Sequence, residues 1–375
     1  MPKRADVLII GGGVIGLTTA YFLAARNGAK VAVLDRGGLG QEASWAGAGI
    51  IPPGRPENAE TPHDWLRAVS GSMIADLSDE LRNAVGVDNG YRMSGGVELT
   101  VDEPVDSAAW TKEGVEWTAV NAENLRRIEP ALKPPTGPAY FLPHMAQIRN
   151  PRHLQALVAA AATRGVELRP GCPVFGFERD GRRISALHTA EGRRVHDQYL
   201  VCAGAWTDKL LAPLGCRIHT RPIRGQIAML RTPKPVLRRI VLAGKRYLVP
   251  RDDGRVLVGS TEEDAGFDAS TTATGIGDLL RFATDIAPAL GLAAVERCWA
   301  GLRPGSEDGL PTLGKVPGFE NLWVAAGHFR AGLQLSAATA LVMSEALAGR
   351  PTRISLDQFR PGRVSGPPAQ TAFRS

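Results

Sequence analysis

The apolar positions at the head of the chain change spacing twice within thirty-five residues. Val7-Leu8-Ile9-Ile10 and Val31-Ala32-Val33-Leu34 are unbroken runs of four, the pattern of strands buried on both faces. Between them, residues 14–25 carry apolar and small side chains at helical spacing, so 5–35 predicts strand, helix, strand. Trp65, Leu66, Val69, Met73 and Leu77 then mark one side of a helix over 63–85. Short strands and a helix over 121–128 follow, and Asn150-Pro151 predicts the cap of a helix over 152–164 that Gly165 stops. Apolar runs between glycine and proline turns predict strands at 166–168, 174–178, 184–189 and 198–202, and later at 225–230, 247–250 and 256–258. A helix over about 275–287, a strand at 322–326 and a helix near 335–348 complete the pattern.

The turns that join these elements carry the chemistry. Gly11-x-Gly13-x-x-Gly16 follows directly on the first strand. A tight turn needs the first glycine, close approach of a pyrophosphate needs the second, and helix-on-strand packing needs the third. The phosphates then meet the free N–H groups at the start of the helix. Asp35, closing the second strand nineteen positions after Gly16, is placed to accept hydrogen bonds from an adenosine ribose. Residues 36–50 are too rich in small residues for a packed helix and predict backbone lying against something large and flat, ended by Pro52, Pro53 and Pro56.

Two further strand-to-helix turns repeat the device. The strand at 198–202 runs into Ala203-Gly204-Ala205, which also fits an ordinary turn of any α/β sheet. The strand at 322–326 runs into Gly327-His328-Phe329-Arg330-Ala331-Gly332 and a helix, whose N-terminus favours negative charge. Glycine turns at opposite ends of one chain suit a long cofactor with a pyrophosphate and a redox ring. Arg303, in Gly301-Leu302-Arg303-Pro304-Gly305, reads either as a solvated surface charge or as a planar fork in a rigid loop, held for a carboxylate.

Composition narrows the class. The chain has 375 residues, 44% hydrophobic and 22% charged, which is ordinary for a globular protein. The first strand begins within a few residues of Met1 and no apolar run reaches membrane length, which predicts a cytosolic protein. Four cysteines without C-x-x-C spacing read as small buried hydrophobes, and seven histidines show no metal-ligand spacing, so no metal is expected. The net charge of +6 comes from scattered basic residues, so no nucleic-acid partner is expected. Oligomeric state stays open, a homo-oligomer included.

Eight segments, in order GGGVIG, ASWAGAGI, NPRH, VCAGAW, RYLVP, VGSTEE, WAGLRPGSEDGLP and AAGHFRAG, resemble the glycine oxidase branch of the D-amino-acid oxidase superfamily over nearly the whole chain. The resemblance implies a mixed α/β fold: a Rossmann-like FAD-binding domain with a second, mainly antiparallel β-sheet substrate domain. The first would use 1–88, 145–222 and 298–361 and the second 89–144 and 223–297, with 362–375 as a disordered tail. FAD would be held by Gly11, Gly13, Val14, Ile15 and Gly16, by Asp35 and Arg36, and by Ser44, Ala46, Gly47, Ala48, Gly49 and Ile50. Val174, Gly204 and Trp206 would join them, with Gly327, His328, Phe329, Ala331, Gly332 and Leu333 at the redox ring. Arg303 would bind a substrate carboxylate, Tyr247 would offer its hydroxyl nearby, and Arg330 would be a second active-site arginine.

The implied reaction is hydride transfer from a small amino acid (glycine, sarcosine or a D-amino acid) to FAD, giving an oxo acid, ammonia and hydrogen peroxide, with oxygen as second substrate. The imine would feed thiamin thiazole synthesis or catabolism. Lys245, Glu262 and Ile50 depart from the best-known bacterial member of the branch, and Glu262 would put a carboxylate near the pocket. Three other readings stay open. They are a quinone-linked D-amino-acid dehydrogenase, a sarcosine-oxidase-like enzyme with flavin on a cysteine such as Cys298, and an NADP-binding module using Arg36.

Overall fold

The computed structural model describes residues 6–101, 104–364, 366 and 373. Strand Val7–Ile10 lies inside a six-stranded sheet in the order Thr312–Lys315, Leu322–Ala326, Gln198–Val201, Val7–Ile10, Val31–Leu34, Glu167–Arg169. All neighbours are parallel except Thr312–Lys315, which runs antiparallel to Leu322–Ala326. Burial on both faces explains the unbroken apolar runs. Val7, Ile9, Val31 and Val33 pack with Leu23, Leu335 and Val342 of the helices on one face. Leu8, Ile10, Ala32 and Leu34 pack with Ile184 and Leu187 on the other, where a three-stranded sheet of Val174–Asp180, Arg183–Thr189 and Gly192–Arg194 covers them.

Helix Val14–Asn27 runs until Gly28 takes a left-handed conformation (φ 64°), open to glycine at little cost. Helix Pro62–Val85 starts at a reciprocal cap in which the Thr61 hydroxyl accepts from the Asp64 N–H and the Asp64 carboxylate from the Thr61 N–H, each at 3.1 Å. Helix Gly332–Leu347 packs against both and is buried almost all round, so its sequence lacks a polar face.

The second sheet has eight strands in the order Ala294–Gly305, Arg221–Arg231, Arg255–Gly259, Arg246–Pro250, Ile240–Ala243, Gly96–Leu99, Ala139–Leu142, Thr118–Val120. Only the Ile240–Ala243 and Gly96–Leu99 pair is parallel. One face is covered by Leu279, Phe282 and Ala283 of helix Ala273–Ile286. Ile227, Tyr247, Val249 and Leu257 of the other face join Ala48 and Met145 in a separate cluster, so this face turns toward the segments that carry those two residues.

Four local expectations change. Arg303 lies on a regular strand, Ala294–Gly305, paired along Arg221–Arg231, and the loop expected from its glycines and proline is absent. The domain boundary expected at 298 therefore cuts a strand of the second sheet. Asn150 is the first residue of helix Asn150–Thr163, not its cap; its side-chain amide donates to the Ser44 carbonyl at 2.7 Å. The small-residue stretch after Asp35 contains a one-turn helix, Ala43–Ala46. Helix Ser107–Lys112, which buries Trp110, is too short to show a period and was not expected.

Within the tail expected to be disordered, 365, 367–372, 374 and 375 lie outside the described residues. Arg363 is anchored: its Nε and Nη2 donate to the buried Asp308 carboxylate at 2.7 and 2.8 Å. Phe373 stacks on Trp110 at 5.8 Å between ring centres.

Candidate active site

A cleft of about 760 Å³ separates the two sheets and is lined by residues from the first glycine turn, the 42–50 segment and the 325–334 turn. At one end, Gly11 has a left-handed φ of 111°, and a Cβ there would overlap the Cys202 carbonyl. A Cβ on Gly16 would overlap the Gly11 carbonyl, so the first and third glycines of the motif have a steric task. Helix Val14–Asn27 starts at Gly13, which has no side chain to cap it, and the Val14 N–H donates to Ser44 Oγ at 3.0 Å. The Asp35 carboxylate accepts from the Gly12 and Gly37 N–H groups, both at 2.8 Å, and so is fixed beside this turn. The Arg36 guanidinium sits 3.7 Å above the Trp206 ring and donates to Glu42 at 2.7 Å. Val174 and Gly204 line the same end.

The middle of the cleft is backbone. Three side chains bind the carbonyls of the 44–48 segment: Asn150 on Ser44, Trp299 Nε1 on Ala46 at 3.0 Å, and Arg251 Nη2 on Ala48 at 2.8 Å. Burial, then the charges of Arg149 and Arg92, push the Arg251 guanidinium down to about 9. A Cβ on Gly301 would lie 2.5 Å from the Ala46 Cβ, so this segment can press directly on strand Ala294–Gly305. Gly47, Gly49 and Ile50 complete the wall.

At the far end, Gly327 (φ 75°) and Phe329 (φ 47°) turn the chain into helix Gly332–Leu347. A left-handed aromatic residue costs on the order of 1–3 kcal/mol, a cost the fold carries here to aim the helix. This helix also begins without a side-chain cap, and Ala331, Gly332 and Leu333 at its start line the cleft. His328 Nε2 lies 3.1 Å from Thr339 Oγ1, and burial pushes the imidazole down to about 3, so it is uncharged at neutral pH.

Arg303, Tyr247 and Arg330 line this end of the cleft. Arg303 donates through Nη1 to the Thr261 carbonyl at 3.1 Å and through Nη2 to Ser260 Oγ at 2.7 Å. A Cβ on Gly225 would overlap its guanidinium, and one on Gly259 would overlap the Tyr247 ring. Burial lowers the Arg303 guanidinium below the usual arginine range, while the adjacent Tyr247 hydroxyl favours its charged form. Arg330 donates to Glu262 Oε2 at 3.2 Å and to the Lys245 carbonyl at 3.0 Å. Arg303, Tyr247 and Arg330 are thus brought into one cleft. The Glu262 carboxylate, expected near the pocket, is engaged by Arg330 and does not line it. Asn150, Gly225, Arg251, Ser260 and Trp299 were missed as site residues. Ser260 stands in the VGSTEE segment and was within reach of that signal; Gly225 and Arg251 become visible only through strand pairing.

Two helix starts without a capping N-cap side chain, and glycine cradles at opposite ends of one long cleft, fit an extended dinucleotide with its pyrophosphate at Gly11–Gly13 and a ring beside Ala46–Ile50. These features define a flavin-dependent oxidoreductase. The model of the FAD dependent oxidoreductase family matches residues 6–346, and the chain belongs to that family. It is 37% identical to glycine oxidase of Pseudomonas putida over 96% of this chain and 99% of that one. It is 32% identical to the bifunctional protein ThiO/ThiG of Synechocystis over 97% of this chain and 54% of that one. The crystal structure of glycine oxidase from Geobacillus kaustophilus superposes with a TM-score of 0.89 at 32% identity, covering 97% of this chain and 100% of that one. No helix among the described residues is long and apolar enough to cross a membrane.

Proposed function

We propose that the protein oxidises glycine and related small amines, sarcosine and D-amino acids among them, to the imine, which water converts to an oxo acid and ammonia. The observation that carries this reading is Arg303: a desolvated guanidinium whose flanking wall is a glycine, inside the cleft that the Ala46–Ile50 segment also lines. Its five N–H donors exceed the two it uses on Thr261 and Ser260, so a carboxylate can still be held through paired hydrogen bonds. Tyr247 adds a hydroxyl beside the same carboxylate. Together they fix the Cα–H of the substrate, and positioning of this kind supplies much of a barrier.

When bound, FAD supplies the two-electron acceptor that takes a hydride from Cα and is reoxidised by oxygen with release of hydrogen peroxide. Gly11–Gly16, Asp35, Ser44 and the 46–50 segment would hold it. The start of helix Gly332–Leu347 would stabilise negative charge near its ring. Burial makes His328 a weak base and its ring bonds Thr339, so the scheme assigns it no proton abstraction and requires the amine to enter neutral. A cytosolic location, oxygen as acceptor and delivery of the imine to thiamin thiazole synthesis belong to the same reading, supported by the resemblance to the glycine oxidase branch.

The test is anaerobic addition of glycine, sarcosine, D-proline and D-alanine to purified protein, followed by air and a peroxide assay. Bleaching of the flavin by glycine and peroxide on reoxidation is the expected result. A yellow protein that none of the four bleaches overturns the substrate assignment.

A further inference from the structure

One three-residue stretch, 260–262, acts on both arginines of the cleft. Ser260 Oγ and the Thr261 carbonyl hold Arg303, and the next side chain, Glu262, holds Arg330. The second nitrogen of the Arg330 fork donates to the Lys245 carbonyl, and the Lys245 ammonium lies 3.4 Å from Glu262 Oε1. Arg330 and Lys245 line the cleft, with side chains 14% and 62% exposed, so the three residues close a charged latch at its mouth. Arg330 uses two of its five donors, as Arg303 does, but one of its acceptors is the Glu262 carboxylate, which neutralises it. Arg303, by contrast, bonds a carbonyl and a hydroxyl, neither of which neutralises it.

We propose that Glu262 sets the substrate class of this cleft: by engaging Arg330 and Lys245 it leaves Arg303 as the carboxylate ligand and selects amines with one carboxylate over those with two. Glu262 is a positioning residue, since it bonds Arg330 and does not line the cleft. Without its charge, Arg330 and Lys245 would face the cleft as two unneutralised cations, and a second carboxylate would repair that imbalance. With the charge in place, a second carboxylate finds Arg330 and Lys245 already neutralised and must compete with Glu262 for them. The inference rests on Arg303 as the carboxylate site proposed above.

The probes are acetate and malonate, read by the shift each causes in the flavin absorption of the holoenzyme, a measurement that needs no turnover. The wild type is expected to bind malonate no more tightly than acetate. Glu262→Gln is expected to raise the malonate-to-acetate affinity ratio by about tenfold or more, while Glu262→Asp keeps the wild-type ratio. In turnover, the same Gln variant should shift kcat/KM toward D-aspartate relative to glycine, mainly through KM. An unchanged ratio in Glu262→Gln overturns the proposal. So does a wild type that already prefers malonate, a result that stands even should the Gln variant fail to fold. Binding of acetate without bleaching by glycine would instead fail the glycine reading and leave the role of Glu262 to the ratio.

Discussion

Arg303 shows how a residue acquires a role from its neighbours. Its guanidinium stands where the facing strand has no side chain, at Gly225, and it keeps hydrogen-bond donors in reserve. We expect Arg303→Ala to lower kcat/KM for glycine by about a thousandfold, the scale of a lost charge-assisted carboxylate pair, while the protein stays yellow. Steady-state kinetics beside a flavin spectrum check this; a near-wild-type KM for glycine would remove Arg303 from the site. Gly225→Ala should act by displacement, raising the glycine KM by about tenfold or more with FAD retained. From its glycine and proline neighbours the arginine read equally as a solvated charge or a carboxylate fork, and only the resemblance favoured the second. Gly225 was not legible, because it reaches the arginine only through pairing of strands whose register the sequence does not announce.

At the scale of elements, the segment Ala43–Ile50 and strand Ala294–Gly305 are one device. The Trp299 indole bonds the Ala46 carbonyl, the Trp45 and Trp299 rings meet edge-on at 5.4 Å, and Gly301 lets the two backbones touch. Gly301→Ala should force them apart, costing about 1–3 kcal/mol and loosening FAD. Thermal unfolding with and without added FAD, and flavin content after gel filtration, measure both effects. Unchanged flavin content would mean that this contact does not shape the cofactor wall. The small-residue run was readable as backbone for a flat partner because close approach leaves a compositional trace. Its one-turn helix was not, since four residues show no period. The first strand, helix and strand were legible for the opposite reason: their signals are local and mutually consistent.

For the molecule as a whole, three buried histidines couple stability to pH. Burial pushes His328 down to about 3, and His63 and His153 down to about 4, below the 6.5 of an exposed imidazole. Between these values the unfolded chain binds protons that the folded one excludes, so stability is full above 6.5 and declines as pH falls toward 4. Each histidine contributes a loss on the order of 2 kcal/mol by pH 5. Urea midpoints at pH 7 and pH 5 should differ accordingly, and His153→Asn should shrink the difference. A gap that does not shrink would assign the acid sensitivity elsewhere.

The order of strands in the six-stranded sheet also governs how the protein can be made. Val7–Ile10 emerges first from the ribosome, yet one of its neighbours is Gln198–Val201, which in turn awaits Leu322–Ala326. Nearly nine-tenths of the chain must therefore be synthesised before the nucleotide-binding sheet can close. Until then, apolar strands that end up buried on both faces have an edge without its partner, a state prone to association with other chains. Assembly of the cofactor cleft is thus a late and single event, since its two ends lie on the first and last thirds of the same polypeptide.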